Sequence, residues 1–147
     1  MWGVLRRNWQ FVLHGTLCAL TYTFGLYPFL HHMGSLMLLF ELSSIPFNVR
    51  IIMLQLGVGK GRAFELVQLA FGLSFLGARL GMGIPASLYW WADMLALLRS
   101  GAAHSVAICV FYLIANLVLN SLNILWASII VRKAAKRFGS GAGKKVA

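Results

Sequence analysis

The stretch HHMGSLMLLFELSSIPFNVRIIMLQLG, residues 31–57, decides the fold class. It exceeds the roughly 20 mostly apolar residues that a helix needs to cross a bilayer, yet it contains a glutamate, an asparagine and an arginine. Pro46, in its middle, has no N–H to donate to the Leu42 carbonyl. A kink or break is therefore predicted there, with Ser43 or Ser44 partly satisfying the freed backbone.

The rest of the chain has the same character. Of its 147 residues, 60% are hydrophobic and 11% are charged, whereas a soluble domain carries roughly 25% charged residues. The apolar runs predict an all-α polytopic transmembrane helical bundle with about four spans and a kinked second helix. The predicted spans are residues 8–29, 30–55, 64–83 and 105–131.

The net charge of +10 comes from thirteen lysines and arginines that lie between the apolar runs. They do not follow one soluble face, so no nucleic-acid partner is expected. If the C-terminus is cytoplasmic and the spans alternate, only Arg79 and Arg99 fall in the other half, as the positive-inside rule requires.

The last segment, residues 133–147, is predicted to be a basic disordered cytoplasmic tail. Its ending, Lys144-Lys145-Val146-Ala147, resembles the dilysine signal of endoplasmic-reticulum membrane proteins. A plain basic tail is the alternative explanation, since so short a pattern also arises by chance.

Polar residues inside the apolar runs are the main candidates for a functional site. The helical rise places Glu41 and Arg79 about 20 Å from the cytoplasmic side. With Asn116 at a similar level, they are predicted to form a deep layer in which carboxylate and guanidinium neutralise each other. A shallower layer, roughly 10 to 15 Å deep, is predicted from His14, Asn48, Asn120 and Asn123, with Arg50 at its edge.

Two helix faces carry these groups at helical spacing. Asn116, Asn120 and Asn123 share one face of the last span, while Glu41, Ser44 and Asn48 share one face of the second. The asparagine side chains are interpreted mainly as forming hydrogen bonds between helices. Glu41 and Arg79 are interpreted as functional, because ionised groups at such depth usually are.

The third span is rich in glycine, and the spacing of Gly77 and Gly81 predicts a close helix approach. The segment that follows, residues 86–99, is too short to cross the membrane and return. It is expected to lie at the lumenal surface or to extend the third helix with a bend. Tyr89, Trp90 and Trp91 are interpreted as an interfacial aromatic belt.

The histidines and cysteines outside these layers have simpler explanations. His31 and His32 have no acidic or cysteine partner at metal-ligand spacing and are interpreted as interfacial, as is His104. Cys18 and Cys109 lie inside apolar runs, where they act as small hydrophobic residues. No metal and no cofactor are expected.

The ELSS-x-PFN-x-R pattern within residues 38–54 resembles the signature of TLC-domain membrane proteins. This family spans ceramide synthases, translocation-associated proteins and TLC-domain-containing lipid regulators. His14-Gly15, FLGARLGMGIP around Arg79 and NSLNILW near the end resemble further parts of the domain, over residues 1–132. The resemblance implies an endoplasmic-reticulum or related membrane, a helical bundle with a central polar cavity, and some dealing with lipids or acyl chains.

Three departures limit what the resemblance implies. The chain resembles roughly the C-terminal two-thirds of the domain, so a truncated product, missing N-terminal helices or a homo-oligomer are expected possibilities. Ceramide synthases carry a His-His pair where this chain has His14 followed by Gly15. They carry two acidic residues three apart where this chain has Glu41 and Ser44, so half of the acyl-transfer apparatus is missing.

The predicted function is that of a non-enzymatic integral membrane protein that influences lipid composition or trafficking, with membrane lipids as partners. One alternative is an acyl-CoA-dependent sphingoid-base N-acyltransferase, with His14 as base and Glu41 orienting it. Another is an inactive truncated fragment. The predicted polar cavity is lined by His14, Glu41, Ser44, Asn48, Arg50, Arg79, Asn116, Asn120 and Asn123.

Overall fold

A computed structural model describes residues 8–24 and 37–142, with side chains as far as residue 136. The described residues are helical with short connections and contain no strand, which confirms the predicted all-α fold. A 3₁₀ segment precedes the second α-helix, and a π-helical segment joins the third to the fourth. The helices are α1 Trp9–Phe24, the 3₁₀ segment Leu39–Ser43, α2 Ser44–Gln55, α3 Arg62–Phe75, the π segment Leu76–Met82, α4 Gly83–Arg99 and α5 Val106–Ala142.

Each irregular segment ends three residues before a proline. Pro46 is the third residue of α2, and Pro85 is the third residue of α4. The first turn of an α-helix has N–H groups without partners in the helix, so proline is tolerated there but not in a continuous α-helix interior. Each irregular segment therefore allows a new α-helix to begin with its proline in the first turn. The predicted break at Pro46 is present, and the Ser43 hydroxyl donates to the Phe40 carbonyl at 3.1 Å.

The segment 86–99 extends the third helix. One continuous helix of 38 residues, Arg62–Arg99, includes α3, the π segment and α4. At about 1.5 Å per residue it is nearly twice as long as the roughly 30 Å hydrocarbon core. This helix and Val106–Lys136 are the two in the described ranges that are long and apolar enough to cross a membrane.

The side-chain core lies between α4 and α5, which run antiparallel on either side of a turn at Gly101 (φ 69°). Trp90 and Met94 of α4 pack there with Cys109, Tyr112 and Leu113 of α5. Trp90, which was predicted to belong to an interfacial belt, is buried inside this cluster and therefore faces other helices. Tyr89 is exposed.

The other helices pack around this pair. The α1 helix lies against α5, and the Tyr112 hydroxyl donates to the Thr21 carbonyl at 3.1 Å. The α2 and α3 helices form a hairpin, which uses positive φ angles at Gly57 and Gly61. The 3₁₀ segment contacts the π segment, which also contacts α5.

The glycines that permit close packing differ from those predicted. Gly77 and Gly81 are exposed, and a Cβ at Gly77 would meet nothing within 4 Å. At Gly83, by contrast, a Cβ would lie 2.9 Å from Cζ of Phe40. Gly83 therefore lets the restarted helix α4 approach the 3₁₀ segment.

The C-terminal segment is helical for most of its length. The α5 helix runs past the predicted end of the last span and ends at Ala142. Residues 133–142 are thus helical where the sequence predicted disorder. The dilysine pattern at Lys144 and Lys145 lies outside the described residues and stays a prediction, as do the assignments of His31 and His32.

Candidate functional site

Arg79, in the π segment, is the centre of a polar site between three helical elements. Its Nε donates to Oγ of Ser43 at 3.2 Å, its Nη1 to Oδ1 of Asn123 at 3.0 Å, and its Nη2 to Oε1 of Glu41 at 3.0 Å. The 3₁₀ segment thus supplies two partners and α5 supplies one. Only 5% of Arg79 is exposed. The ion pair expected from the sequence is present.

Glu41 differs from its partner in exposure. Its Oε1 accepts from Arg79, and its Oε2 accepts from the Ser44 hydroxyl at 2.6 Å. The side chain of Glu41 is 49% exposed, against 6% for Arg79. The pair therefore lies at the surface of the bundle, with the cation inside and part of the carboxylate outside.

The two irregular segments explain why this site forms where it does. Glu41 and Ser43 belong to the 3₁₀ segment and Arg79 to the π segment, so the backbones departing from α geometry face each other here. Such departures within helices often mark functional sites. Phe75, one turn before Arg79, places its ring centroid 5.3 Å from the guanidinium carbon and covers it by a cation–π contact.

Aromatic side chains connect the ion pair to α1. The Trp126 ring on α5 lies 6.5 Å from Phe75 and 5.3 Å from both Phe11 and His14, measured between ring centroids. The Trp126 indole N–H donates to Oε1 of Gln10 at 3.0 Å. These contacts hold the first helix against the site.

His14 lies at the edge of this arrangement. Its ring contacts Trp126, which in turn contacts Phe75 beside Arg79. Its Nε2 is 3.7 Å from Sγ of Cys18, and its Nδ1 is buried without a hydrogen-bond partner among the described residues. The site thus includes a histidine with one ring nitrogen unused.

A second polar group, which we call the amide cluster, joins α4 to α5. Oδ1 of Asn116 accepts from the Trp91 indole N–H at 3.0 Å and from Nδ2 of Asn120 at 2.9 Å. Nδ2 of each asparagine also donates to Oγ of Ser87, at 3.2 Å from Asn116 and 2.9 Å from Asn120. These hydrogen bonds match the interhelical role predicted for asparagines.

The predicted layers therefore need correction. The amide that contacts Arg79 is that of Asn123, which had been placed in the shallow layer, whereas Asn116 belongs to the amide cluster. Asn48 is exposed, and no hydrogen bond joins it to the described residues. Arg50 lies 6.0 Å from the Phe64 ring centroid and contacts neither Glu41 nor Arg79. Neither Asn48 nor Arg50 joins the ion-pair site.

Sequence reasoning missed several contributors. Ser43 follows Glu41 by two residues and had been considered only for the backbone. Phe75 lies one helical turn before Arg79, and Ser87 lies one turn before Trp91, so i to i+4 spacing was the available signal for both. In the described ranges, no group of three His, Cys, Asp or Glu side chains is arranged to hold a metal ion.

The fold and the site define a class of helical bundle in which long apolar helices bury an arginine that pairs with a half-exposed glutamate. The TLC domain family matches residues 1–132, so the chain belongs to the TLC-domain family of membrane proteins. It is also 28% identical over 141 residues to an uncharacterized TLC domain-containing protein of Saccharomyces cerevisiae. The match covers 91% of this chain and 44% of the yeast protein, so the chain spans less than half of its relative's length. No solved structure matches the chain.

Proposed function

We propose that this TLC-domain protein is a multi-pass protein of the endoplasmic-reticulum membrane that influences lipid composition or trafficking by binding a lipid head group at the Glu41–Arg79 site. The observation that carries the proposal is the unequal exposure of the pair, 49% for the glutamate side chain and 6% for the arginine. A polar group is thereby presented from an otherwise apolar bundle, where a lipid can reach it.

The cost of such a site supports a functional role. Placing an ionised side chain in the middle of a membrane helix costs about 2.5 to 3.5 kcal/mol on insertion scales. Helix association alone does not require that cost, since the amide cluster joins α4 to α5 with neutral groups. An ion pair kept open on one side is better explained by a ligand than by packing.

The proposed topology follows from the helix directions and the charges. The bundle crosses the membrane about four times, with the C-terminal end of α5 in the cytoplasm. Arg62 at the start of α3 and Arg132 and Lys133 on α5 then share the cytoplasmic side, while Arg99 ends α4 on the lumenal side. The dilysine-like ending supports the endoplasmic reticulum. Membrane lipids are the proposed partners, with further helices or a second copy beside the open face.

Lipid profiles of cells expressing the chain test the proposal. Wild type is compared with Arg79→Gln, which removes the cation of the site, and with Arg99→Gln, an equivalent change at an exposed position on the same continuous helix. We expect wild type and Arg99→Gln to shift the phospholipid or sphingolipid profile equally, and Arg79→Gln to leave it at the level of empty vector. Equal lipid profiles for wild type, Arg79→Gln and Arg99→Gln would contradict the proposal.

A second candidate function is acyl transfer, and the position of His14 favours it. A general base must be able to accept a proton from the attacking group, and the buried Nδ1 of His14 has no hydrogen-bond partner among the described residues. The test is acyl-CoA-dependent ceramide formation in membranes that lack their own synthases. Activity that His14→Ala abolishes would replace the non-enzymatic proposal. A purified chain that forms no stable bundle would instead support the inactive fragment.

A further inference from the structure

We infer that the ion-pair site selects lipids whose head group is an uncharged hydroxyl donor and rejects lipids with a phosphate head group. This inference rests on the proposed function, because it specifies the ligand of the same site. It follows from the chemistry that the site presents outward, which is that of the carboxylate and not that of the guanidinium.

The guanidinium is shielded from an anion by its burial. Each of its three nitrogens already donates to an oxygen, and the Phe75 ring covers one face. Arginine binds phosphate best through two parallel N–H donors. Two N–H bonds of the guanidinium remain, but only 6% of the side chain is exposed. A phosphate would therefore have to enter the bundle or displace Glu41, and displacing Glu41 would leave two anions competing for one cation.

The carboxylate, in contrast, has acceptor capacity left. Glu41 uses one oxygen for Arg79 and the other for Ser44. An ionised carboxylate offers about four lone-pair directions, so about two remain for a ligand. Since about half of the Glu41 side chain is exposed, the open part of the site is an acceptor and requires a donor.

Charge balance favours a hydroxyl over an ammonium group as the ligand. Glu41 and Arg79 together are neutral, and the other two acidic residues of the chain, Glu65 and Asp93, are each more than ten residues from Arg79 along the continuous helix. A ligand ammonium would leave one positive charge without compensation at depth, and a phosphate would leave a negative one. Both are costly in hydrocarbon, whereas a hydroxyl leaves the site neutral.

The surroundings indicate that the hydroxyl belongs to a lipid. Leu38, Leu42 and Ile45, which flank Glu41 in sequence, are each more than half exposed. In a bilayer, such an apolar border around a carboxylate contacts acyl chains and not water. The occupant that fits is a neutral lipid alcohol, for which 1,2-diacylglycerol is the probe.

The experiment uses the full chain in lipid nanodiscs with a photoactivatable diacylglycerol that carries a clickable acyl chain. Three unlabelled competitors with the same acyl chains are compared: diacylglycerol, its hydroxyl methyl ether, and phosphatidic acid. We expect diacylglycerol to compete roughly fivefold better than the methyl ether, the value of one net hydrogen bond, and phosphatidic acid to compete more weakly still. The label is expected on the peptide that contains Glu41.

Two variants sharpen the test. Glu41→Gln removes the negative charge and leaves Arg79 uncompensated, so selectivity should reverse, with phosphatidic acid becoming the better competitor. Asp93→Asn is the matched control, because it removes an exposed acid on α4, away from the ion pair, and should behave as wild type. Size-exclusion chromatography shows whether each variant is folded. If Glu41→Gln does not fold, the competition measured on wild type still tests the inference.

The outcomes separate the inference from the function that underlies it. Equal competition by the methyl ether, or stronger competition by phosphatidic acid, on wild type overturns the inference. The proposed lipid site still stands in that case if Arg79→Gln abolishes labelling. Labelling that is the same for wild type and Arg79→Gln overturns both. Cross-linking of Glu41 peptides to a second copy, in place of lipid, also overturns the inference.

Discussion

The ion-pair site and the amide cluster are two polar regions in one apolar bundle, and they are built differently. The amide cluster joins regular helices through neutral groups, and its Ser87 is buried. The ion-pair site joins two irregular segments to α5 and leaves its carboxylate half exposed. Hydrogen-bonded amides suffice to hold helices together, so charge, irregular backbone and exposure in one place indicate a different purpose.

The largest expected effect on stability comes from breaking the charge balance. Glu41→Gln leaves Arg79 buried without its anion, and we expect the free energy of unfolding in mixed micelles to fall by about 3 kcal/mol. Removing both charges in Glu41→Gln/Arg79→Gln should cost less than Glu41→Gln alone, because no unpaired charge remains. A double variant that is less stable than the single one would show that the pair does not act as a unit.

Two asparagines on one face of α5 give a direct comparison of the regions. Asn123→Ala removes the acceptor of the Arg79 Nη1 donor, and a hydrogen bond to a charged group is worth roughly 1.5 to 3 kcal/mol. Asn120→Ala, in the amide cluster, removes two neutral hydrogen bonds and should cost about 1.2 kcal/mol, at about 0.6 kcal/mol for each such bond in membranes. Equilibrium unfolding of both variants measures the difference, and equal losses would remove the distinction drawn between the two regions.

Backbone approach provides a third test. Gly83→Ala places a Cβ 2.9 Å from Cζ of Phe40, so the Phe40 ring or the 3₁₀ segment that carries it must shift, at a cost of about 1 to 3 kcal/mol. Gly77→Ala meets nothing within 4 Å and should be neutral or stabilise the helix by up to about 1 kcal/mol. Thermal unfolding of the two variants gives the comparison. A neutral Gly83→Ala would mean that the close approach is not required.

The smallest effect is expected inside the amide cluster. Trp91→Phe keeps an aromatic ring at this position but removes the indole donor to Asn116, so the lost hydrogen bond is expected to cost about 0.6 kcal/mol. The lipid-dependent phenotype of the chain should not change, since the cluster lies outside the ion-pair site. A changed lipid profile in Trp91→Phe, with stability preserved, would extend the functional region into the amide cluster.

Much of the site could be read from the sequence because residues on one helix have fixed relations. The shared face of Asn116, Asn120 and Asn123, the break at Pro46 and the need of Glu41 and Arg79 for each other all follow from helix geometry and from the cost of buried charge. The extension of α3 into α4 was one of two alternatives. In the sequence, Pro85 was the one indication of the π segment that allows this extension.

Only the tertiary structure decided which amide meets Arg79. The expected cytoplasmic ends of the two helices are Arg62 and Val131. Counted from these ends, Arg79 lies about 25 Å deep and Asn123 only about 12 Å deep, yet their side chains are 3.0 Å apart. The count fails because α5 does not end at Val131 but runs to Ala142. Spacing within a helix is set by its own hydrogen bonds, whereas the axial register between helices is set by side-chain packing, such as the ring contact of Phe75 with Trp126.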